Sequence, residues 1–199
     1  MIKVLGRNTS GNVQKVLWML GEAKIGFERE DYGRQFGNTT TDAYRALNPN
    51  SKVPTLVDGD TVIWESNSIL RYLAATYAKQ FDGATPAEQS ATGRWMDWVL
   101  ASVNAPYLVL FREAKKTPAE RGADFAPAVT EMDGLLQILD AHLKGKDFLA
   151  LNKLTIADFS LSPIIKRCAA FPIERKPTLE VDRWLSAFGK REAFKAVVN

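Results

Sequence analysis

The stretch Lys52-Val53-Pro54-Thr55-Leu56-Val57-Asp58-Gly59-Asp60-Thr61-Val62-Ile63-Trp64-Glu65-Ser66-Asn67 decides the fold. Two runs rich in β-branched residues, 53–57 and 61–64, flank Asp58-Gly59, a pair that tolerates positive φ and so closes a tight antiparallel hairpin. Pro54 has no N–H to give to a strand ladder, which puts it at an edge or in a special turn where a cis peptide bond can occur. The Val53 N–H and C=O are then left facing outward, open to a ligand in extended form. Directly after the second strand, Ser66 or Asn67 can cap a helix whose apolar positions Ile69, Leu70, Leu73 and Tyr77 follow helical spacing. The first turn of such a helix offers free N–H groups that suit a carboxylate. Ser66 adds a hydroxyl donor, and Glu65 beside it can hold an ammonium group. Each feature alone reads as an ordinary loop proline or helix cap; their succession in one unit describes a site for a peptide-like ligand with both charges on one carbon.

Working outward, Ile2 to Leu5 reads as a strand, Asn12 to Lys24 as a helix with Val13, Val16, Leu17 and Leu20 on one face, and Phe27 to Tyr32 as a second strand. A short helix near Asp42 to Ala46 completes the order βαβαββα, that of a thioredoxin-like α/β domain over residues 1–78. From 79 to 86 the chain turns polar around Gly83 and Pro86, which reads as a linker. Residues 87–199 then show helices and no convincing strand: about Ala87 to Lys115, Asp124 to Leu143, Ile156 to Phe171 and Leu179 to Phe188, an all-α second domain. Thr155-Ile156-Ala157-Asp158 has the Thr-x-x-acid spacing in which side chains and backbone N–H groups at a helix start bond each other; its mechanics explain it as structural.

Composition narrows the chemistry. The 199 residues carry 26 basic and 23 acidic side chains spread along the chain, so neither a nucleic-acid nor a membrane footprint is indicated. No apolar stretch is long enough to span a bilayer, and the first strand begins at Ile2 with no room for a signal peptide, so a cytoplasmic protein is expected. A single cysteine, Cys168, excludes an intrachain disulfide, and a single histidine, His142, removes the usual zinc and Ser-His-Asp arrangements; no metal site is expected. Cys168 reads as a small buried residue, His142 as a residue near a helix C-terminus, and Trp95 and Trp98 as core.

Three further segments carry a family resemblance: Asn48-Pro49-Asn50-Ser51-Lys52-Val53-Pro54-Thr55-Leu56, Glu65-Ser66-Asn67-Ser68-Ile69-Leu70-Arg71-Tyr72-Leu73 and Leu154-Thr155-Ile156-Ala157-Asp158-Phe159. Over nearly its whole length the chain resembles the soluble glutathione S-transferases. The resemblance implies that Val53-Pro54 pairs with the cysteinyl backbone of glutathione, and that Glu65 and Ser66 take its γ-glutamyl amino and carboxylate groups. Asn50 and Lys52 are implied at the glycyl carboxylate or cysteinyl region. Tyr107, Phe111 and Arg112 on the first long helix of the second domain are implied at the site of a small hydrophobic electrophile. Glutathione would be a co-substrate, with no tightly bound cofactor, and a homodimer acting in detoxification is implied.

A thioredoxin-like redox enzyme keeps its cysteine between the first strand and the first helix, where the helix N-terminus stabilises a thiolate. This chain has Gly6-Arg7-Asn8-Thr9-Ser10-Gly11-Asn12 there, so no mixed disulfide can form at that position. The hydroxyls of Thr9 and Ser10 and the amides of Asn8 and Asn12 can instead donate to the thiolate of a bound ligand and so lower its pKa. The resemblance is closest to bacterial-type members with Ser or Thr followed by Asn. On that pattern Ser10 is the first candidate and Asn12 the second, with Asn8 and Thr9 as alternatives; Ser10 or Asn12 is also a natural helix cap. Conjugation to an electrophile is the expected reaction. Peroxidase, disulfide-reductase or ether-cleaving chemistry on the same site, or a non-catalytic binding module of the same fold, are the rivals.

Overall fold

The computed structural model describes residues 1–198. Strands β1 (Ile2–Leu5), β2 (Phe27–Glu30), β3 (Thr55–Asp58) and β4 (Thr61–Trp64) form one sheet in the order β2-β1-β3-β4. β1 runs parallel to β2 and antiparallel to β3, and the β3–β4 hairpin turns at Asp58-Asp60, with Gly59 at φ 58°. Helices α1 (Gly11–Glu22), α2 (Asp42–Leu47) and α3 (Ser66–Thr76) complete a βαβαββα thioredoxin-like unit. β3 begins at Thr55 rather than Val53 because Pro54 cannot donate, and the Val53–Pro54 bond is cis.

From Pro86 onward the described chain is helical: α4 (Pro86–Trp98), α5 (Asn104–Glu113), α6 (Phe125–Leu143), α7 (Ile156–Ala169), α8 (Leu179–Gly189) and a short α9 (Glu192–Lys195). α4 and α5 are one rod interrupted by a wider π turn at Val99–Val103, placed just ahead of Pro106, whose ring lacks the N–H that an α turn would use. Among the described residues no helix is long and apolar enough to cross a membrane.

The seam between the two parts is itself core. α1 lies against the sheet with α3, α7 and α9 around it, so Gln14 and Lys15 are buried along with its apolar face. Trp18 from α1 meets Phe159, Phe188 and Phe194 with ring centroids 4.4, 5.1 and 4.8 Å away. Asn67, at the start of α3, donates to the Met96 carbonyl (2.8 Å) and accepts from the Ser160 hydroxyl (2.7 Å). α7 is anchored by the Thr155–Asp158 box: the fully buried Asp158 carboxylate accepts from the N–H groups of Thr155 and Leu149 (3.0 Å each), the Thr155 hydroxyl and the Trp184 indole (3.2 Å each).

His142 and Cys168 are structural groups. The His142 ring packs at a tilt against Trp95, with ring centroids 4.4 Å apart, and its Nε2 lies 2.9 Å from the Leu149 carbonyl, while burial pushes its pKa down. Burial pushes the Cys168 thiol up to about 12, so it stays protonated and inert at neutral pH. Trp95 and Trp98 are half-buried and pack edge to face at 5.3 Å.

Candidate functional site

A cleft of about 410 Å³ opens between the loop after β1, the loop before β3 and the facing sides of α5 and α7. The β1–α1 loop can lie this close to Val53 because residue 6 is glycine: a Cβ there would come within 2.5 Å of Val13 and 3.2 Å of Val53. On the other wall, Tyr44 and Asn48 hold the loop that presents Val53. The Tyr44 hydroxyl and the Asn48 amide both donate to the Lys52 carbonyl (2.7 and 2.8 Å), and both also reach the Thr55 hydroxyl (2.9 and 3.0 Å). Val53 itself is left without a backbone hydrogen-bond partner among the described residues. It therefore offers a donor and an acceptor into the cleft, as an extended ligand requires.

Ser10 sits at the N-cap of α1, yet its hydroxyl makes no capping bond to the helix. It is 8% exposed and lines the cleft with Thr9, Gly11 and Asn12, so the first turn of α1 and a free hydroxyl face the same space. An anion there is favoured by both the free N–H groups and the helix dipole. Arg167, on α7, holds this loop: its Nη2 donates to the Thr9 carbonyl (2.9 Å) and to Gln14 Oε1 (2.7 Å).

Of the residues singled out from sequence, Thr9, Ser10, Asn12, Lys52, Val53, Tyr107 and Phe111 converge on this cleft. Asn8 points away from it and lines a second cavity with Leu17, Phe27 and Arg29 on the other side of the loop. Arg112 is exposed and does not line the cleft, since one residue beyond Phe111 turns a helix about 100°. Asn50, Glu65 and Ser66 stand outside the cleft lining, grouped where β4 meets α3, and the buried Pro54 is also not part of the lining. There the Asn50 amide donates to Glu65 Oε1 (3.3 Å), and Ser66 opens the first turn of α3. Glu65 has φ 69° and ψ 117°, outside the regions that side-chain-bearing residues favour, a conformation that costs on the order of 1–3 kcal/mol and clusters at ligand sites.

Sequence reasoning missed several contributors. Arg7, Arg34 and Arg167 also line the cleft, and no carboxylate does. Burial, and then the neighbouring Arg34 and Arg167, push the Arg7 pKa down. Arg34 lies over the Phe111 ring, its Cζ 4.9 Å from the centroid, and Tyr107 packs at a tilt against Phe111 (5.8 Å) and stacks on Phe171 (6.1 Å). Burial raises the Tyr107 phenol, and the nearby Arg167 partly opposes this. Beneath Glu65, burial pushes the fully buried Lys15 ammonium down to about 7, with the Glu65 charge opposing. Among the described residues no group of three metal-ligating side chains comes together.

Comparison with known proteins fits this geometry. The family model described as the glutathione S-transferase N-terminal domain matches residues 9–76, and that of the C-terminal domain matches residues 103–192. Glutathione S-transferase GstB of Escherichia coli K12 is 34% identical over 203 residues, spanning 100% of this chain and 98% of the relative. Glutathione S-transferase 3 of Zea mays is 29% identical over 99% of this chain and 93% of its own. Among solved structures, the theta class glutathione S-transferase of the citrus canker pathogen Xanthomonas axonopodis pv. citri, with glutathione bound, superposes with a TM-score of 0.93. It is 39% identical to this chain and covers 99% of it and 96% of its own length.

Proposed function

The chain belongs to the glutathione S-transferase family, and we propose that it binds glutathione, holds its sulfur as a thiolate at the start of α1, and transfers it to an electrophile in the cleft. The observation that carries this reading is the meeting, in one cleft, of the unpaired Val53 backbone with a Ser10 hydroxyl that does not cap its helix. Val53 pairs with the cysteinyl backbone. Ser66 and the first turn of α3 take the γ-glutamyl carboxylate, Glu65 takes the amino group, and Lys52 takes the glycyl carboxylate with Asn50 alongside. The thiol then lies at Ser10 and Asn12, where hydrogen bonds and the helix dipole favour its ionised form. A thiol with a pKa near 8.5 needs a shift of only about one or two units to be largely ionised at neutral pH. Thr9 is the alternative donor; the orientation of Asn8 toward the second cavity weighs against it. The electrophile lies against Tyr107 and Phe111.

Residues 1–78 as the glutathione-binding part, 79–86 as the linker and 87–199 as the helical part belong to the same proposal. So do a cytoplasmic setting, a role in detoxification and a homodimer; the half-exposed Val62 and Trp64 on β4 support the last.

Calorimetric titration with reduced glutathione, against an analogue lacking the γ-glutamyl amino group, tests the ligand. Saturable binding that weakens for the analogue is expected, and no heat of binding at millimolar glutathione overturns the reading. Glu65→Ala is expected to weaken glutathione binding about tenfold, because the ligand's amino group loses its charged partner; unaltered affinity refutes that role. Ser10→Ala is expected to raise the pKa of the bound thiol, followed by thiolate absorbance, and to lower turnover at pH 7 by about 10–100-fold with little change in glutathione affinity. If turnover at pH 7 is unchanged, the activating donor is Asn12 or Thr9.

A further inference from the structure

The cleft is lined by four cationic side chains, Arg7, Arg34, Lys52 and Arg167, and by no carboxylate. None of the three arginines has a carboxylate partner among the described ion pairs, although 26 basic residues share the chain with 23 acidic ones. Glutathione leaves part of this charge unanswered. With its glycyl carboxylate set against Lys52 and its thiolate against the start of α1, only Lys52 is paired and the three arginines still lack a counter-ion. Arg34 and Arg167 also lie near enough to Arg7 to add to burial in disfavouring its charge. Like charges held side by side at the mouth of a cleft repel, and an anion placed among them relieves this.

Their placement says where that anion sits. A Cβ built on Gly33 would lie 3.0 Å from Arg7 Nη1, and one on Gly11, the residue after Ser10, would lie 3.3 Å from Arg167 Nε, so one guanidinium lies against each of these two glycines of the cleft lining. Arg34 closes over the Phe111 ring, on the wall that faces the helical part. An apolar body against Phe111 and Tyr107 would therefore carry a negative group into reach of the arginines.

We propose that the second substrate of this cleft is an electrophile bearing a carboxylate, with Arg7, Arg34 and Arg167 as its receptor and Tyr107 and Phe111 as the face for its apolar body. The proposal rests on the transferase reading above and replaces a purely hydrophobic electrophile with an anionic one. In the test reaction the glutathione thiolate attacks the chlorine-bearing carbon of 4-chloro-3,5-dinitrobenzoate. The C–S bond forms, the C–Cl bond breaks, chloride leaves with the bonding pair, and the thiol proton has passed to solvent.

The first arm needs no turnover: glutathione-loaded protein is titrated with 3,5-dinitrobenzoate and with the uncharged 3,5-dinitrobenzamide. The benzoate is expected to bind at least about tenfold more tightly, with the difference shrinking as salt is raised. Equal affinities overturn the proposal. The second arm takes the ratio of kcat/KM for 4-chloro-3,5-dinitrobenzoate to that for 1-chloro-2,4-dinitrobenzene, in the unaltered protein, Arg34→Gln and Arg7→Gln. Each substitution is expected to lower the ratio about tenfold while the KM for glutathione stays within about twofold. An unchanged ratio, or a loss seen only in the KM for glutathione, overturns the proposal and assigns the arginines to glutathione itself. Should glutathione fail to bind at all, it is the transferase reading that fails; the two failures are therefore distinguishable.

Discussion

Replacing Asp158 by alanine is expected to cost about 3–5 kcal/mol of folding stability, close to the whole margin of an ordinary domain. The carboxylate is fully buried and receives four donors: two backbone N–H groups, the Thr155 hydroxyl and the Trp184 indole. Alanine leaves all four unpaired in a space water does not reach, and each buried donor without an acceptor costs about 1–3 kcal/mol, with relaxation recovering part. Chemical denaturation of the purified variant measures this loss; a change below about 1 kcal/mol would mean that the donors find other partners. Asp158→Asn keeps a carbonyl acceptor and is expected to fall between the two. It also tests the titration of this group. Burial outweighs the four hydrogen bonds and raises the carboxyl from 3.8 to about 6. The folded protein thus holds a proton between these values that the unfolded chain has released. The contribution of this group to stability is greatest below 3.8 and is lost as pH rises through 6, a slope that Asp158→Asn is expected to remove.

Lys15→Met is expected to act in the opposite direction and stabilise the protein by roughly 2–4 kcal/mol at pH 6. Lys15 is 1% exposed, and its ammonium is pushed from 10.5 down to about 7. A depression of that size sets an upper bound of about 5 kcal/mol on the cost of keeping the charge, before relaxation. The unfolded chain binds the proton up to 10.5 and the folded one only to about 7, so the stability of the unaltered protein rises with pH across that window. The advantage of Lys15→Met is therefore largest below pH 7 and fades toward pH 10. Parallel denaturation curves at pH 6 and pH 9.5 read this directly; an equal gain at both would assign the effect to packing. Glu65, the one charge that favours the ammonium, loses that support, and glutathione affinity is expected to fall as stability rises, an exchange common at binding sites.

How far the sequence could be read follows from how local each signal is. The hairpin, Pro54 and the start of α3 lie within sixteen residues and depend on turn and capping chemistry that neighbours in sequence dictate. The Thr155–Asp158 box is legible for the same reason. The cationic lining is not, because Arg7, Arg34 and Arg167 meet only after the chain has folded back on itself, and a charged residue read alone looks like solvated surface. Lys15 falls between apolar positions of α1 and reads as the polar side of an amphipathic helix; packing by α3, α7 and α9 on the remaining sides buries it. The long helix read from Ala87 to Lys115 is in fact two helices with a π turn between them, a change of winding that hydrophobic spacing does not register. Tyr44 and Asn48 act through hydrogen bonds to the Lys52 carbonyl and the Thr55 hydroxyl, which carry no sequence pattern.

Trp18 has a consequence for how such chains can diversify. Its ring is enclosed by Phe159, Phe188 and Phe194, all from the other part of the molecule, so the two parts share a single interior. A chimera that joins residues 1–78 of this chain to the helical half of a relative must bring matching shapes at those three positions. Inheritance of the halves is thereby coupled, and exchange by recombination is open only between partners whose aromatic residues interlock.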